Sequence, residues 1–379
     1  MYNVCILTSV HYHDDNRVYY KEVFSLKRFG YNVTYIAPGL KNEIRDGIKY
    51  VNVEKPASVL KRILRFYKIY KLAKKQKCDV YHFQDAELIP TGLLLKWFTK
   101  AKVIYDVHED YPSQMLTKYY IKSFLRKPLY KLMIFLEKVA DKYFDAIVVA
   151  DNFVYKHFSP DKTIILYNFP DIRLMNNVIA DIKDTEKKYD IIFPGSMAKF
   201  TAEMILQTMK VAKSRGYELK CVLISTFKFE GGQSWVEQRI KELGLSRENF
   251  LLLNRIPPYD VPKYIKATRV GLIPLPDTLK MRSNIPTKLF EYMYCGIPVI
   301  TGDLPPSAQF IRKQECGYLV NPNSPEEYAD KIIELINNEN KAKRMGEIGK
   351  VLVETIYNWE NEEKKLKNLY ESLLKKVDK

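Results

Sequence analysis

The run Asn284-Ile285-Pro286-Thr287-Lys288-Leu289-Phe290-Glu291-Tyr292-Met293-Tyr294-Cys295-Gly296-Ile297-Pro298-Val299-Ile300 concentrates groups that could do chemistry. Proline suits a first helical turn and glycine the position just past the last, so the run reads as loop, helix and buried strand. Leu289, Phe290 and Met293 then face the core, and Glu291 lies on another side. A carboxylate there offers an acceptor to sugar hydroxyls. The free amides around Thr287 and the ammonium of Lys288 offer donors to a phosphate. That pairing suits a nucleotide sugar, whereas an ordinary amphipathic helix would account for the apolar spacing alone.

A second group of polar residues stands at the ends of short apolar segments. His11, His13, Asp14 and Asp15 follow the apolar Val4 to Thr8; His82 and Asp85 close Asp79 to Asp85; His108, Glu109 and Asp110 close Val103 to Asp110. In an open α/β sheet the carboxyl ends of the strands are where ligands bind. His11, His13, Asp15, His82 and Asp85 are therefore candidates for an acceptor edge, and Glu109 or Asp110 for a base that takes the acceptor's proton. A solvated loop with a helix-capping aspartate is the other reading of His11 to Asp15.

The elements that position these groups alternate strand and helix. Val4–Thr8, the helix ending at Gly30, Asn32–Ala37 and the strands near 80, 104, 147 and 164 make a first doubly wound domain. Strands at 189–194, 219–224, 250–253, 270–273, 297–300 and 317–320, each separated by helical stretches, make a second. At 379 residues the chain suits two such domains. Gly195 ends the first strand of the second domain, where it permits a close backbone approach to phosphate or simply a tight turn.

Five scattered cysteines without C-x-x-C spacing give neither a disulfide framework nor a zinc site, and a reducing cytoplasm is the expectation. No D-x-D pair stands ready for a divalent ion, and no G-x-G-x-x-G fingerprint is present. The net charge of +16 asks for an anionic partner. Lys55 to Lys77 carries nine basic residues and no acid, and Lys118 to Lys131 interleaves lysines with aromatics. Both fit a peripheral anionic membrane surface better than nucleic acid, for which no recognised motif accompanies the charge; a solvated helix packed by its apolar stripe is the alternative for the first.

The string P-T-K-L-F-E-Y-M-x-x-G-x-P-V-I resembles the nucleotide-sugar site of the retaining glycosyltransferases of family 4. The resemblance implies a GT-B fold, two Rossmann-like domains facing each other across a cleft. It implies an acceptor domain over 1–170, a linker over 171–188 and a donor domain over 189–355. Residues 356–379, from Trp359 onward, would form a helix that packs back on the first domain. Glu291 matches the family's second glutamate, which meets the ribose. Eight positions earlier, where the first glutamate meets the donor sugar, this chain has Ser283 followed by Asn284. Asp106-Val107-His108-Glu109 is similar to the D-x-H-E segment whose histidine approaches the sugar. Gly195, Ser196 and Lys199 fall at the diphosphate loop, with Thr201 where lysine is commoner, and Arg255-Ile256 fall at the base. The implied donor is a UDP- or GDP-linked sugar, with no cofactor and no metal. The implied acceptor is a glycan or polyprenyl-linked lipid at the inner membrane face, as in cell-surface polysaccharide synthesis. An epimerase of the same fold and a non-catalytic nucleotide-sugar-binding protein are the rival expectations.

Overall fold

The computed structural model describes residues 1–11, 15–39, 41–54, 65–117, 121–179, 186–257 and 260–375. His13, Asp14, the basic stretch 55–64 and Lys118-Tyr119-Tyr120 lie outside the described residues. By internal contacts the chain divides into two units, Met1–Asn168 joined by Trp359–Lys379, and Phe169–Asn358.

The first unit is built on an eight-stranded sheet. Its strands are β1 (Asn3–Leu7), β2 (Asn32–Pro38), β3 (Glu43–Arg45), β4 (Ile48–Val53), β5 (Val80–Phe83), β6 (Lys102–Val107), β7 (Ala146–Val149) and β8 (Thr163–Ile165). Their order is β3-β4-β2-β1-β5-β6-β7-β8, parallel except for the short antiparallel edge strand β3. Buried on both faces, the central strands are nearly continuous apolar runs, as parallel strands must be. One face of the sheet presents Leu7, Phe83, Tyr105 and Val107 to the helices α2 (Phe66–Lys75), α3 (Ile89–Phe98) and α5 (Ser123–Tyr143). Val4, Ile6, Ile104 and Val148 point the other way. They meet α1, π-helical over Asn16–Val23 and α-helical over Phe24–Arg28, and the C-terminal helix α8 (Trp359–Lys375). A short helix α4 (Tyr111–Thr117) links β6 to α5.

The second unit has a six-stranded, wholly parallel sheet of order β11-β10-β9-β12-β13-β14. The strands are β9 (Tyr189–Met197), β10 (Cys221–Phe227), β11 (Phe250–Leu253), β12 (Thr268–Ile273), β13 (Val299–Gly302) and β14 (Gly317–Val320). Phe193, Leu223 and Leu272 pack under α6 (Lys199–Ser214) and the helix Pro325–Asn337. On the opposite face Gly271 lets the ring of Tyr292 lie flat against the sheet, since a Cβ on it would sit 2.3 Å from that ring. Tyr292 belongs to α7 (Lys288–Tyr294), the helix read from the sequence, and its hydroxyl reaches Ile192 O at 3.1 Å and Leu272 O at 3.2 Å. One buried tyrosine thus pins α7 to the two central strands. The stretch 171–188 carries a helix, Ile172–Ile179.

Candidate active site

In the first unit, register sets the edge. Leu7 stands opposite Phe83 and Phe83 opposite Tyr105, so the next residues of each strand, Thr8, Gln84 and Asp106, come level at the carboxyl ends. Asp106 is wholly buried, and an isolated buried carboxylate would not stay ionised. Arg17, from the first turn of α1, solves this. Its Nη2 reaches both Asp106 oxygens at 3.0 and 3.1 Å, its Nε reaches Glu22 Oε1 at 3.1 Å, and its Nη1 reaches Leu166 O at 2.9 Å. Gln84 donates to the other Glu22 oxygen at 3.0 Å. Burial opposes ionisation of Asp106, but the Arg17 guanidinium above all holds it well below the usual carboxylate range. Burial and the neighbouring Asp106 push Glu22 up. Asp106 therefore carries the negative charge that Arg17 balances.

Two histidines flank this network with opposite electrostatics. His11 Nδ1 lies 3.0 Å from Asp15 Oδ2 and its Nε2 lies 3.6 Å from Asp85 Oδ1. Burial lowers its pKa, but Asp15 and Asp85 outweigh that and the net shift is upward. Asp15, although burial opposes its ionisation, is held at about 2 by His11 and by backbone amides. It also caps α1, accepting from Arg17 N and Val18 N at 2.9 Å each. His108 stands beside His11, ring centroids 5.1 Å apart, with its Nε2 3.4 Å from Asp106 Oδ1. Burial pushes its pKa down, aided by Arg17 and His11, and Asp106 only partly restores it. Two imidazoles shifted in opposite directions, His11 up and His108 down, therefore stand side by side, the arrangement in which neighbouring titratable groups divide their roles.

Of the expected acceptor residues, the structure brings His11, Asp15 and Asp85 together with His108, and it corrects two of them. His82 has no exposed surface. Its Nδ1 pairs with the Tyr370 hydroxyl at 2.9 Å and its Nε2 lies 3.6 Å from Asp106, so it supports the network and cannot meet an acceptor. Asp85 is equally enclosed, accepting from Thr8 Oγ1 at 2.7 Å and Ser9 N at 2.5 Å, which makes it a brace for the β1 loop. Glu109 is exposed and takes a hydrogen bond from Gln114. Arg17, Glu22 and Asp106 are members of this network that the sequence alone does not point to as site residues. The available signal was an acid inside two apolar segments, Val103–Val107 and the Val18–Leu26 face.

The donor half rests on the end of β9. Gly195 has φ +111°, open to glycine and strained for other residues, and a Cβ there would stand 3.5 Å from Lys288 Nζ. That ammonium lies 3.5 Å from the centroid of the Phe193 ring. Burial lowers the Lys288 pKa to about 7, with the Glu291 carboxylate pulling the other way. The residue expected as a fixed cation is therefore poised near neutrality. Thr287 is exposed and Glu291 half-buried. Leu289 is a correction: its side chain is fully buried, so only its backbone is left for a ligand.

Ser196 is exposed, and Lys199 is exposed with its ammonium 5.0 Å from the Trp235 ring centroid. Thr201, at the commoner lysine's place, is buried and donates to Pro274 O at 3.0 Å. Ser283 donates to Lys280 O at 3.2 Å while Asn284 is exposed, in a loop held by an Arg282–Asp277 ion pair. Arg255 is exposed and Ile256 half-buried.

Glu22, His82 and Asp106 offer ligand atoms within 4.8 Å of one another, enough in geometry for a metal. Arg17 already sits between the two carboxylates, and a dication beside a buried guanidinium would be repelled. The donor set does not fit a resident ion.

Two parallel α/β sheets with these sites define a GT-B glycosyltransferase. The family 4 glycosyltransferase profile matches residues 16–173 and that of the group 1 glycosyl transferases matches residues 176–352; the chain belongs to glycosyltransferase family 4. An uncharacterized glycosyltransferase of Methanocaldococcus jannaschii is 25% identical over 285 residues, 73% of this chain and 70% of its own. Among solved structures, sucrose-phosphate synthase from Thermosynechococcus elongatus superposes with a TM-score of 0.74 at 15% identity, covering 99% of both chains. Anabaena HepE in complex with UDP gives 0.69 at 12% identity, over 98% of this chain and all of the other, and another of its structures holds UDP-glucose. At such identities the likeness is one of fold.

Proposed function

We propose that this glycosyltransferase moves a hexose from a nucleoside-diphosphate sugar, UDP-linked in the first instance, to a glycan or polyprenyl-linked acceptor at the cytoplasmic face of a membrane, in the synthesis of a cell-surface polysaccharide. The observation that carries the donor assignment is the grouping of Gly195, Lys288 and Glu291, a backbone cradle, a cation near neutrality and a carboxylate on a pinned helix. A diphosphate entering beside Lys288 restores the proton that burial removes, and Glu291 accepts from ribose hydroxyls. The UDP and UDP-glucose complexes of HepE support a UDP donor.

In the first unit His108, neutral and 11% exposed at its side chain, is the group offered to the donor sugar. Exposed Glu109 remains the candidate base. The chemistry we propose is metal-independent. Positive charge from Lys288, with Lys199 in support, stabilises the diphosphate as it departs, and the acceptor hydroxyl attacks on the same face so that the anomeric configuration is retained. Ser283 or Asn284 takes the sugar-side contact of the missing glutamate.

The test is nucleoside diphosphate release from a panel of nucleotide sugars with a membrane lipid extract as acceptor, with EDTA present, for the wild type and Glu291→Ala. Release that needs the extract and collapses in the variant is the expected result. Binding of a donor without turnover on any acceptor would overturn transfer.

A further inference from the structure

We propose that the outer face of the α2, α3 and α5 layer of the first unit is an interfacial surface that rests on an anionic lipid bilayer. This deepens the membrane-face reading above by naming the surface and the lipid chemistry.

The first observation is apolar area without a cover. The helix α5 runs for 21 residues yet buries only Glu137 and Ala140. Phe124 is 71% exposed, Phe135 61% and Leu132 48%. The neighbouring α3 ends in Trp97 and Phe98, 58% and 60% exposed. These are joined into one surface: the Trp97 ring meets Tyr143 of α5 edge-on at 6.0 Å, and Lys74 of α2 lies 5.6 Å from the Phe98 centroid. Single exposed apolar side chains are ordinary, but a run of them across the adjacent helices α3 and α5 marks an interaction surface.

The second observation is the sign of the charge between them. Lys127, Lys131, Lys138 and Lys142 are exposed on α5, while its two acids are engaged elsewhere. Glu137 is buried beside His157 at 3.6 Å, and Asp141 accepts from Ser159 N at 3.0 Å and Ser159 Oγ at 2.7 Å. A second copy pairing through this face about a two-fold axis would set lysines against lysines. A bilayer accepts both features, rings at the headgroup level and ammonium groups at anionic phosphates. No helix among the described residues is long and apolar enough to cross a membrane, so contact is along the surface. The surface also connects to the site, because α4, between His108 and α5, donates Tyr111 Oη to Gln84 O at 3.2 Å.

The test is co-sedimentation of the full chain with vesicles of phosphatidylcholine alone or mixed with phosphatidylglycerol. Wild type is compared with Phe124→Ser/Leu132→Ser/Phe135→Ser and with Lys131→Gln/Lys138→Gln/Lys142→Gln. All six side chains are exposed, and a melting curve checks the fold. The expected result is salt-sensitive binding to the phosphatidylglycerol vesicles only, weakened about 100-fold by the lysine triple and lost in the serine triple. Trp97 fluorescence should be quenched by brominated lipid, and that quenching should vanish in Trp97→Phe.

Equal binding to neutral vesicles, unchanged binding by the serine triple, or conversion of a wild-type dimer to a monomer by that variant would overturn the proposal. Calorimetry with UDP separates the two readings. UDP binding unchanged in both triples, with vesicle binding lost, supports this face. Vesicle binding that persists in a wild type unable to bind any nucleotide also supports it, and sinks the transferase reading instead.

Discussion

Lys288 owes its altered pKa to its surroundings, and the sign of that shift yields two measurements. Its ordinary value of 10.5 falls to about 7 on folding, so between those values the unfolded chain holds a proton that the folded chain lacks. Stability therefore rises with pH across that window, because the protonated form is the one that folding disfavours. Thermal melts from about pH 6.5 to about pH 9.5, which cover most of that window, should climb for the wild type and flatten for Lys288→Met. A diphosphate beside the amine reverses the shift. Calorimetry of UDP binding near pH 8.5, on the order of one unit above the folded pKa, in buffers of different ionisation enthalpy, should report proton uptake close to one, absent in Lys288→Met. Uptake of none in the wild type would remove Lys288 from the phosphate. For His108, whose burial keeps it neutral, His108→Ala should lower turnover by about 10² to 10³, with UDP affinity within about threefold of wild type. A parallel loss of UDP affinity would place His108 in a structural role.

The C-terminal helix α8 shows how an element remote in sequence can set a site. Trp359 is fully buried and its Nε1 donates to Ser25 Oγ at 2.9 Å, which itself donates to Glu363 at 2.7 Å; Glu362 accepts from Tyr167 N at 2.9 Å. Further along, Tyr370 holds His82, the inner neighbour of Asp106. Trp359→Ala should cost about 3–5 kcal/mol, seen as a lower denaturant midpoint of the first unit, while the second unit's transition stays in place. The strands were legible because parallel strands buried on both faces are unbroken apolar runs, and α7 because Pro286 and Gly296 bracket an apolar spacing. The edge hairpin β3–β4 was not, since Glu43, Ile44 and Arg45 are all exposed and carry no pattern. Nor was the fate of His82, decided by a tyrosine 288 residues later, or that of Asp106, whose guanidinium partner lies 89 residues earlier. A charge in a sequence reads as surface until its partner is known. The near-neutral Lys288 was illegible for the same reason, its environment being the Phe193 ring from another strand.

Charge over the whole chain bears on the proposal that the diphosphate leaves without a dication. The excess of 61 basic over 45 acidic side chains gives +16, and Lys288 and Lys199 belong to that excess: Lys288 forms no ion pair among the described residues and Lys199 stands over an aromatic ring. In the first unit the opposite holds, since the charge of Asp106 is already balanced by Arg17, which also bonds Glu22. A metal bound there would have to displace a buried guanidinium, and stripping one partner from a buried ion pair costs about 3–5 kcal/mol. Prolonged dialysis against EDTA should accordingly leave the rate of donor consumption within about twofold. Arg17→Met should unfold or strongly destabilise the first unit while UDP binding in the second survives. Adding magnesium or manganese to the dialysed protein should change neither. If instead activity fell with EDTA and returned with one of these ions, while UDP affinity rose in parallel, the cation that accompanies the diphosphate would be a metal brought in with the substrate. Lys288 would then be a partner to that ion rather than its replacement.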